Sequence, residues 1–246
     1  DAFALGVGTT IGTLSDNGYA FHGRFLLVLV LPGPLILLDG QASFLKARGS
    51  GDPNFLSLAI FDGRAGTLLF NVQAHYAYTG TGDLIDITGF AEVFFDFSNA
   101  RKWHLYLGQD APESRRIRAN IISLFEANSY FMLNHGGVRM GAWFGLNRKW
   151  KYGPLKVTLA AWIEGAAAVS WAPKQFEGSL TLNGDVALKA FGVGASLNLR
   201  ALLEAKAPHP YRVHAEFRVK MNLPWPLPDP KAKVKLTWEE ELPREL

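Results

Sequence analysis

The 246-residue chain has no cysteine. Disulfides, a thiolate nucleophile and cysteine-ligated zinc are therefore excluded. Charge is also sparse: 19% of residues are Asp, Glu, Lys or Arg, and the net charge is +3. The basic residues are scattered and alternate with apolar ones, so no phosphate-tracking stripe forms and nucleic acid is not an expected partner. The longest apolar run, Phe25 to Leu38, is broken by Pro32-Gly33-Pro34. It falls short of the roughly 20 residues that a spanning helix needs.

Catalytic motifs are missing as well. GVGTTIG (Gly6, Gly8, Gly12) misses the dinucleotide-binding spacing by one residue and precedes no helix. There is no phosphate loop, nucleophile elbow or zincin pattern. His209 and His214 have opposite parity on one extended segment and would point apart. Asp86, Glu92 and Asp96 share parity, but four strand residues separate carboxylates by about 13 Å, too far for a glycosidase pair. No enzyme activity, metal or cofactor is expected; the alternative is a site assembled across strands, which leaves no linear trace.

What is present is alternation. Ile85, Ile87, Gly89, Ala91, Val93, Phe95 and Phe97 oppose Asp86, Thr88, Phe90, Glu92, Phe94 and Asp96. Leu155 to Trp171 and Val213 to Leu223 repeat the pattern. Period two marks half-buried strands. Turn signals separate them: Asp16-Asn17-Gly18, Pro32-Gly33-Pro34, Asp62-Gly63, Gly80-Thr81-Gly82, His135-Gly136-Gly137, Asn183-Gly184 and Pro208-His209-Pro210. At Asn183-Gly184 the parity of Leu180, Leu182, Val186 and Leu188 predicts a three-residue turn, Asn183 to Asp185. The composition predicts one all-β domain over 1–246, of long antiparallel strands in a hairpin-connected meander. Sandwich, curved open sheet and barrel all fit it, and 48% apolar residues can supply a sizeable core.

One helix is expected, within Asp110 to Asn128. Asp110 and Glu113 have capping-box spacing, and Ile117, Ile121, Leu124 and Phe125 fall on one helical face. Arg115, Arg116 and Arg118 oppose it near the N-terminus, and Ile117, Ala119 and Ile121 also fit a strand.

Three sets of residues stand out. The hairpin strand Phe25, Leu26, Leu27, Val28, Leu29, Val30 and Leu31 is apolar on both parities, so it needs cover on both faces: a core position, a subunit interface or lipid. Asn71, Gln73 and His75 form a polar strip; solvent is its ordinary partner, a metal or sugar the sharper reading. LPWPLPDP carries Pro224, Pro226, Pro228 and Pro230 at period two rather than the i, i+3 spacing of adaptor ligands. In an extended chain the missing donors would all face one side, which predicts a one-sided sheet edge presenting Trp225 and Leu227, then a turn at Asp229-Pro230.

The segments Trp103 to Leu133 and Tyr211 to Trp238 resemble a module of very large, poorly characterised β-rich microbial proteins, in which a strand–LPWPLPD–strand pattern recurs. The resemblance implies a piece of an extended multi-strand protein and transfers no catalytic residues. The chain opens at Asp1 without a signal-like segment, and a processed product or excised module is expected. The leading functional expectation is a self-assembling, extracellular or cell-surface β-protein whose partner is itself, through strand augmentation. The second is a sheet that binds lipid or another apolar ligand, with carbohydrate on its tryptophans or a membrane barrel as weaker forms.

Overall fold

A computed structural model describes residues 2–80, 82–122, 124–208 and 210–240. The chain is all-β. Strands β1 (Phe3–Gly12), β2 (Phe21–Leu31), β3 (Leu35–Phe44) and β4 (Phe55–Asp62) come first. β5 (Thr67–Gly80), β6 (Gly82–Asp96), β7 (Trp103–Leu107), β8 (Ile117–Ile121) and β9 (Phe125–Asn134) follow. Then come the long strands β10 (Gly137–Tyr152), β11 (Leu155–Trp171), β12 (Lys174–Ala190) and β13 (Val193–Ala207), ending with β14 (Tyr211–Asn222) and β15 (Lys231–Glu240). Pairing is an antiparallel meander in sequence order from β1 to β15, except that β8 leaves the path and pairs with β6 and β9. Contacts cluster into two compact units. The first holds 1–81, 85–118 and 130–135; the second holds 82–84, 119–129 and 136–246.

Turn chemistry explains much of the punctuation. Asp16 organises the β1–β2 loop by accepting hydrogen bonds from the Thr13 hydroxyl, the Gly18 N–H (3.0 Å) and the Ala20 N–H (2.7 Å). These bonds, the Thr13 hydroxyl first, hold its carboxyl below the usual value. Asn17 and Gly18 supply the positive φ that such a loop requires. The segments Leu155 to Trp171 and Val213 to Leu223 do form strands, as β11 and most of β14. Thr81, His209 and residues 241–246 lie outside the described residues, and with them parts of two expected turns and the His209 comparison.

Four expectations are corrected. No turn forms at Asn183 to Asp185: β12 runs straight through it, paired without a break to β11 and β13. Parity explains why, since Leu180, Leu182, Gly184, Val186 and Leu188 share one face of an uninterrupted strand. Among the described residues of Asp110 to Asn128 there is no α-helix: a 3-10 turn at Glu113–Arg115 is followed by β8 and the start of β9. Asp110 is no helix cap; its carboxylate takes Arg116 Nη2 at 2.9 Å, closing the turn, and Ile117 onward is extended.

LPWPLPDP is not a strand edge. Leu223 to Pro230 is the loop between β14 and β15, closed by Met221 N–H to Pro230 O (3.0 Å) and Leu223 N–H to Asp229 Oδ1 (2.8 Å). Four prolines in eight residues cannot sustain a ladder, so they mark its end. Finally, no large core forms among the described residues. Phe90 is the one large apolar side chain buried among the described residues, and the Phe25 to Leu31 hairpin strand lies half-exposed within the sheet.

Two glycines give a stability test. A Cβ on Gly137, at the β9–β10 turn, would sit 2.0 Å from the Val169 carbonyl oxygen, whereas one on Gly184 meets nothing within 4 Å. Gly137→Ala is expected to destabilise by about 1–3 kcal/mol, and Gly184→Ala to stabilise by roughly 0.5–1 kcal/mol because it sits mid-strand. Urea unfolding of the two variants checks both signs.

Candidate functional site: an apolar sheet face and a polar cleft

Register decides which residues share a face, because directly paired residues of an antiparallel ladder point the same way. In the second unit one paired row runs Phe144, Ile163, Leu182, Ala201, Phe217, Val234 across β10 to β15. The adjacent row on the other face runs Trp143, Glu164, Thr181, Leu202, Glu216, Lys235. Extending the parity along each strand leaves one face almost entirely Leu, Val, Ile, Ala, Phe and Met. The other carries the amides, the hydroxyls and nearly all of the charges; Arg148, Lys174 and Glu240, toward the strand ends, are the charged exceptions on the apolar face.

Nothing among the described residues covers the apolar face. Phe144, Ile163, Leu182, Leu203, Phe217 and Leu236, one from each of the six strands, are between 40% and 68% exposed. Each half-exposed side chain leaves about 1 kcal/mol of burial unrealised. A soluble monomer ordinarily exposes a largest apolar patch of roughly 300–600 Å². Here an entire six-strand face is open. Its tyrosines and tryptophans have fixed places: Trp150, Tyr152, Trp171, Tyr211 and Trp238 all lie within three residues of a strand end. The middle is aliphatic, interrupted by Phe144 and Phe217.

The first unit is less one-sided, since its opposite face also carries an apolar row, Gly6, Val28, Leu37, Ile60 and Leu69. Leu5, Leu29, Ile36, Phe61 and Leu68 form a paired row across β1 to β5, and Val7, Leu27, Leu38, Ala59 and Phe70 form the next on that face. Of the candidates from the sequence, Phe25, Leu27, Leu29 and Leu31 belong to this face. Leu26, Val28 and Val30 point to the opposite side, where Val28 pairs onward through Leu37 and Ile60 to Leu69. Trp225 and Leu227 are exposed in the β14–β15 loop and touch neither row.

The polar face of the second unit has its own knot. Glu216 is buried against Arg218, with Lys235 Nζ at 3.2 Å and Lys233 Nζ at 3.5 Å from β15. The Arg218 hydrogen bond first, then Lys235, hold the Glu216 carboxyl at about 2 against an ordinary 4.5, while burial pushes the other way. This carboxylate fastens the last strand to its neighbour.

The polar side of the first unit holds a cleft of about 710 Å³. Gln41, Leu56 and Gln73 form a directly paired row along its base, and His75, Thr88 and Phe90 also line it. The segment expected to be a helix supplies Arg115 and Arg118 instead. Arg115 lies over the Phe90 ring at 5.0 Å and donates to Gln109 Oε1 at 3.2 Å. Arg118 has no ion pair among the described residues, and the buried Thr88 hydroxyl has no hydrogen-bond partner. His75 Nε2 lies 3.1 Å from Asp86 Oδ1. Asn71, the third member of the polar strip, lies on the same face outside the cleft and donates to Glu92 Oε2 (3.2 Å), whose Oε1 meets His104 Nε2 at 2.8 Å. The cleft can hydrogen-bond a carboxylate, phosphate or sugar hydroxyl. Among the described residues no three His, Asp, Glu or Cys side chains are grouped to hold a metal.

Alternation pointed to Gln73 and His75, but Arg115, Arg118, Thr88 and Gln41 come from sequence-distant segments that only cross-strand register joins. The class defined by these features is an antiparallel meander with amphipathic sheet faces. Comparison with protein-family models, curated proteins and solved structures finds no match.

The sign of the Glu216 effect follows from its lowered value. Its stabilising contribution is complete above about pH 4.5 and is lost as the pH falls toward 2. Glu216→Gln removes the carboxylate and leaves three cations facing one another, so amide exchange in β15 should quicken several-fold at pH 7 while β11 and β12 stay protected. At pH 2 the difference from wild type should shrink.

Proposed function

We propose that this chain is a lipid-binding β-sheet module, in which acyl chains cover the apolar face of each unit. The observation that carries the reading is the open six-strand row from Phe144 to Val234, backed by a polar row one residue away. A sheet face of this composition needs an apolar neighbour. Lipid suits it better than a protein layer because of where the large rings lie. Protein interfaces gather Trp and Tyr near their centre; here these rings line the strand ends and leave an aliphatic band between. That is how side chains divide at an acyl–headgroup boundary. No helix among the described residues is long and apolar enough to cross a membrane, so contact with lipid falls to the strands.

Self-association is a second reading, drawn from the sheet order: among the described residues β1 and β15 each have one unpaired edge. An edge of one copy could extend the sheet of another. Against like-with-like pairing of β15 stand Lys231, Lys233 and Lys235 on its polar parity.

Native mass spectrometry of protein purified without detergent tests the lipid reading. Wild type is expected to carry acyl lipid, or to take it up from mixed micelles. Leu182→Arg sets a guanidinium in the middle of the apolar face; at about 2 kcal/mol or more this should lower uptake roughly 30-fold. Thr181→Arg, one residue along on the polar face, should leave it unchanged. Lipid-free protein that takes up none, or equal losses in the two variants, would contradict the reading. A mass rising with concentration in the lipid-free state would favour edge-to-edge assembly instead.

A further inference from the structure

Three connections of the second unit lie at one end of its sheet. Tyr152 pairs with Leu155 across the Gly153-Pro154 turn, Leu155 pairs with Ala190, and Ala190 pairs with Val193 across Phe191-Gly192. The Leu223 to Pro230 loop is at the same end, since Ser196 pairs with Asn222. These tips carry apolar rings in solvent: Tyr152 is 65% exposed, Phe191 85% and Trp225 93%. Phe191 is held at φ +51°, followed by Gly192 at +85°. Asn or Gly fills that left-handed position without strain; a bulky aromatic does not. The fold therefore holds a ring outward at a place where local chemistry prefers another residue. Such an outlier points toward use rather than packing.

Charge at this end is one-sided. Lys149, Lys151, Lys156, Lys189, Lys220 and Lys231 all project from the polar face near the three tips, by the same register that defines the apolar rows. None forms an ion pair among the described residues. The nearby acid, Asp229, accepts the Leu223 N–H within the loop. At the opposite end Lys206 is neutralised by Glu177 at 2.8 Å, and Glu204, Glu239 and Glu240 offset Arg212 and Lys174.

We propose that this end docks onto an anionic bilayer surface. Tyr152, Phe191 and Trp225 enter the headgroup layer, and the six lysines meet lipid phosphates and carboxylates. The docking rests on the lipid reading above and adds to it where the bilayer is met. A membrane is favoured over nucleic acid because the rings stand at separate hairpin tips with the apolar face directly behind them, rather than along a cationic groove.

Vesicle flotation tests it, using phosphatidylcholine with and without phosphatidylserine. Wild type should float with the anionic vesicles and release them as salt rises. Lys151→Gln, Lys189→Gln and Lys231→Gln should each weaken binding about fivefold. Phe191→Asn combined with Trp225→Ser should abolish flotation without lowering thermal stability, since Asn suits the Phe191 backbone. Micelle uptake of acyl lipid should persist in that double variant. Equal binding to neutral and anionic vesicles, or wild-type flotation by the double variant, overturns the docking while leaving the lipid reading intact. Loss of acyl uptake by wild type overturns the lipid reading itself. Tighter binding to a short DNA duplex than to anionic vesicles also overturns the proposal.

Discussion

Register in the β10–β15 ladder is the constraint on which the other features depend. Because side chains alternate along a strand, a slip of one residue between neighbours would turn a whole strand's apolar set to the polar side. Five successive pairings avoid this, and Phe144, Ile163, Leu182, Ala201, Phe217 and Val234 align without one polar interruption. Two-residue turns at Gly153-Pro154, Ala172-Pro173 and Phe191-Gly192 fix the offsets between β10 and β13. Once the offsets are fixed, separation of the faces follows from sequence parity alone.

That separation sets how each unit is held together. With one face open, little apolar area is removed from water, and backbone pairing between long strands carries an unusual share of the cohesion. Local devices reinforce the vulnerable places: Glu216 binds the cations of β14 and β15, and the Asp16 carboxylate organises the loop after β1. In the first unit the cleft between the sheet and the Arg115–Arg118 segment contains Phe90, the one large apolar side chain buried among the described residues, under the Arg115 guanidinium.

Much of the fold was legible in the sequence because alternation is a local signal. Leu155 to Trp171 could be read to the residue, and so could most of β14. The failures have local causes too. Asn183-Gly184 carries the composition of a turn, but its neighbours keep parity across it, and a straight strand satisfies parity with no loop at all. Asp110 and Glu113 imitate a helix start, yet three arginines near a helix N-terminus are unfavourable and Ile117, Ala119 and Ile121 alternate. The alternating prolines suggest a one-sided strand edge, but four lost donors end a strand rather than continue it. Of the candidate sites, Gln73 and His75 were visible as a strip. The open apolar face was not, because it belongs to no single strand and is defined only by cross-strand offsets.

The absence of cysteine makes the central claim, contact between the apolar face and acyl chains, directly accessible. Single cysteines placed from Ser179 to Leu188 on β12, each carrying a nitroxide, can be measured with lipid present. Even positions such as Leu180, Leu182, Val186 and Leu188 should be open to oxygen and closed to a polar relaxation reagent. Odd positions such as Thr181, Asn183 and Asp185 should show the reverse, giving a period of two. Even positions closed to both reagents would mean that protein, not lipid, covers the face and would contradict the account.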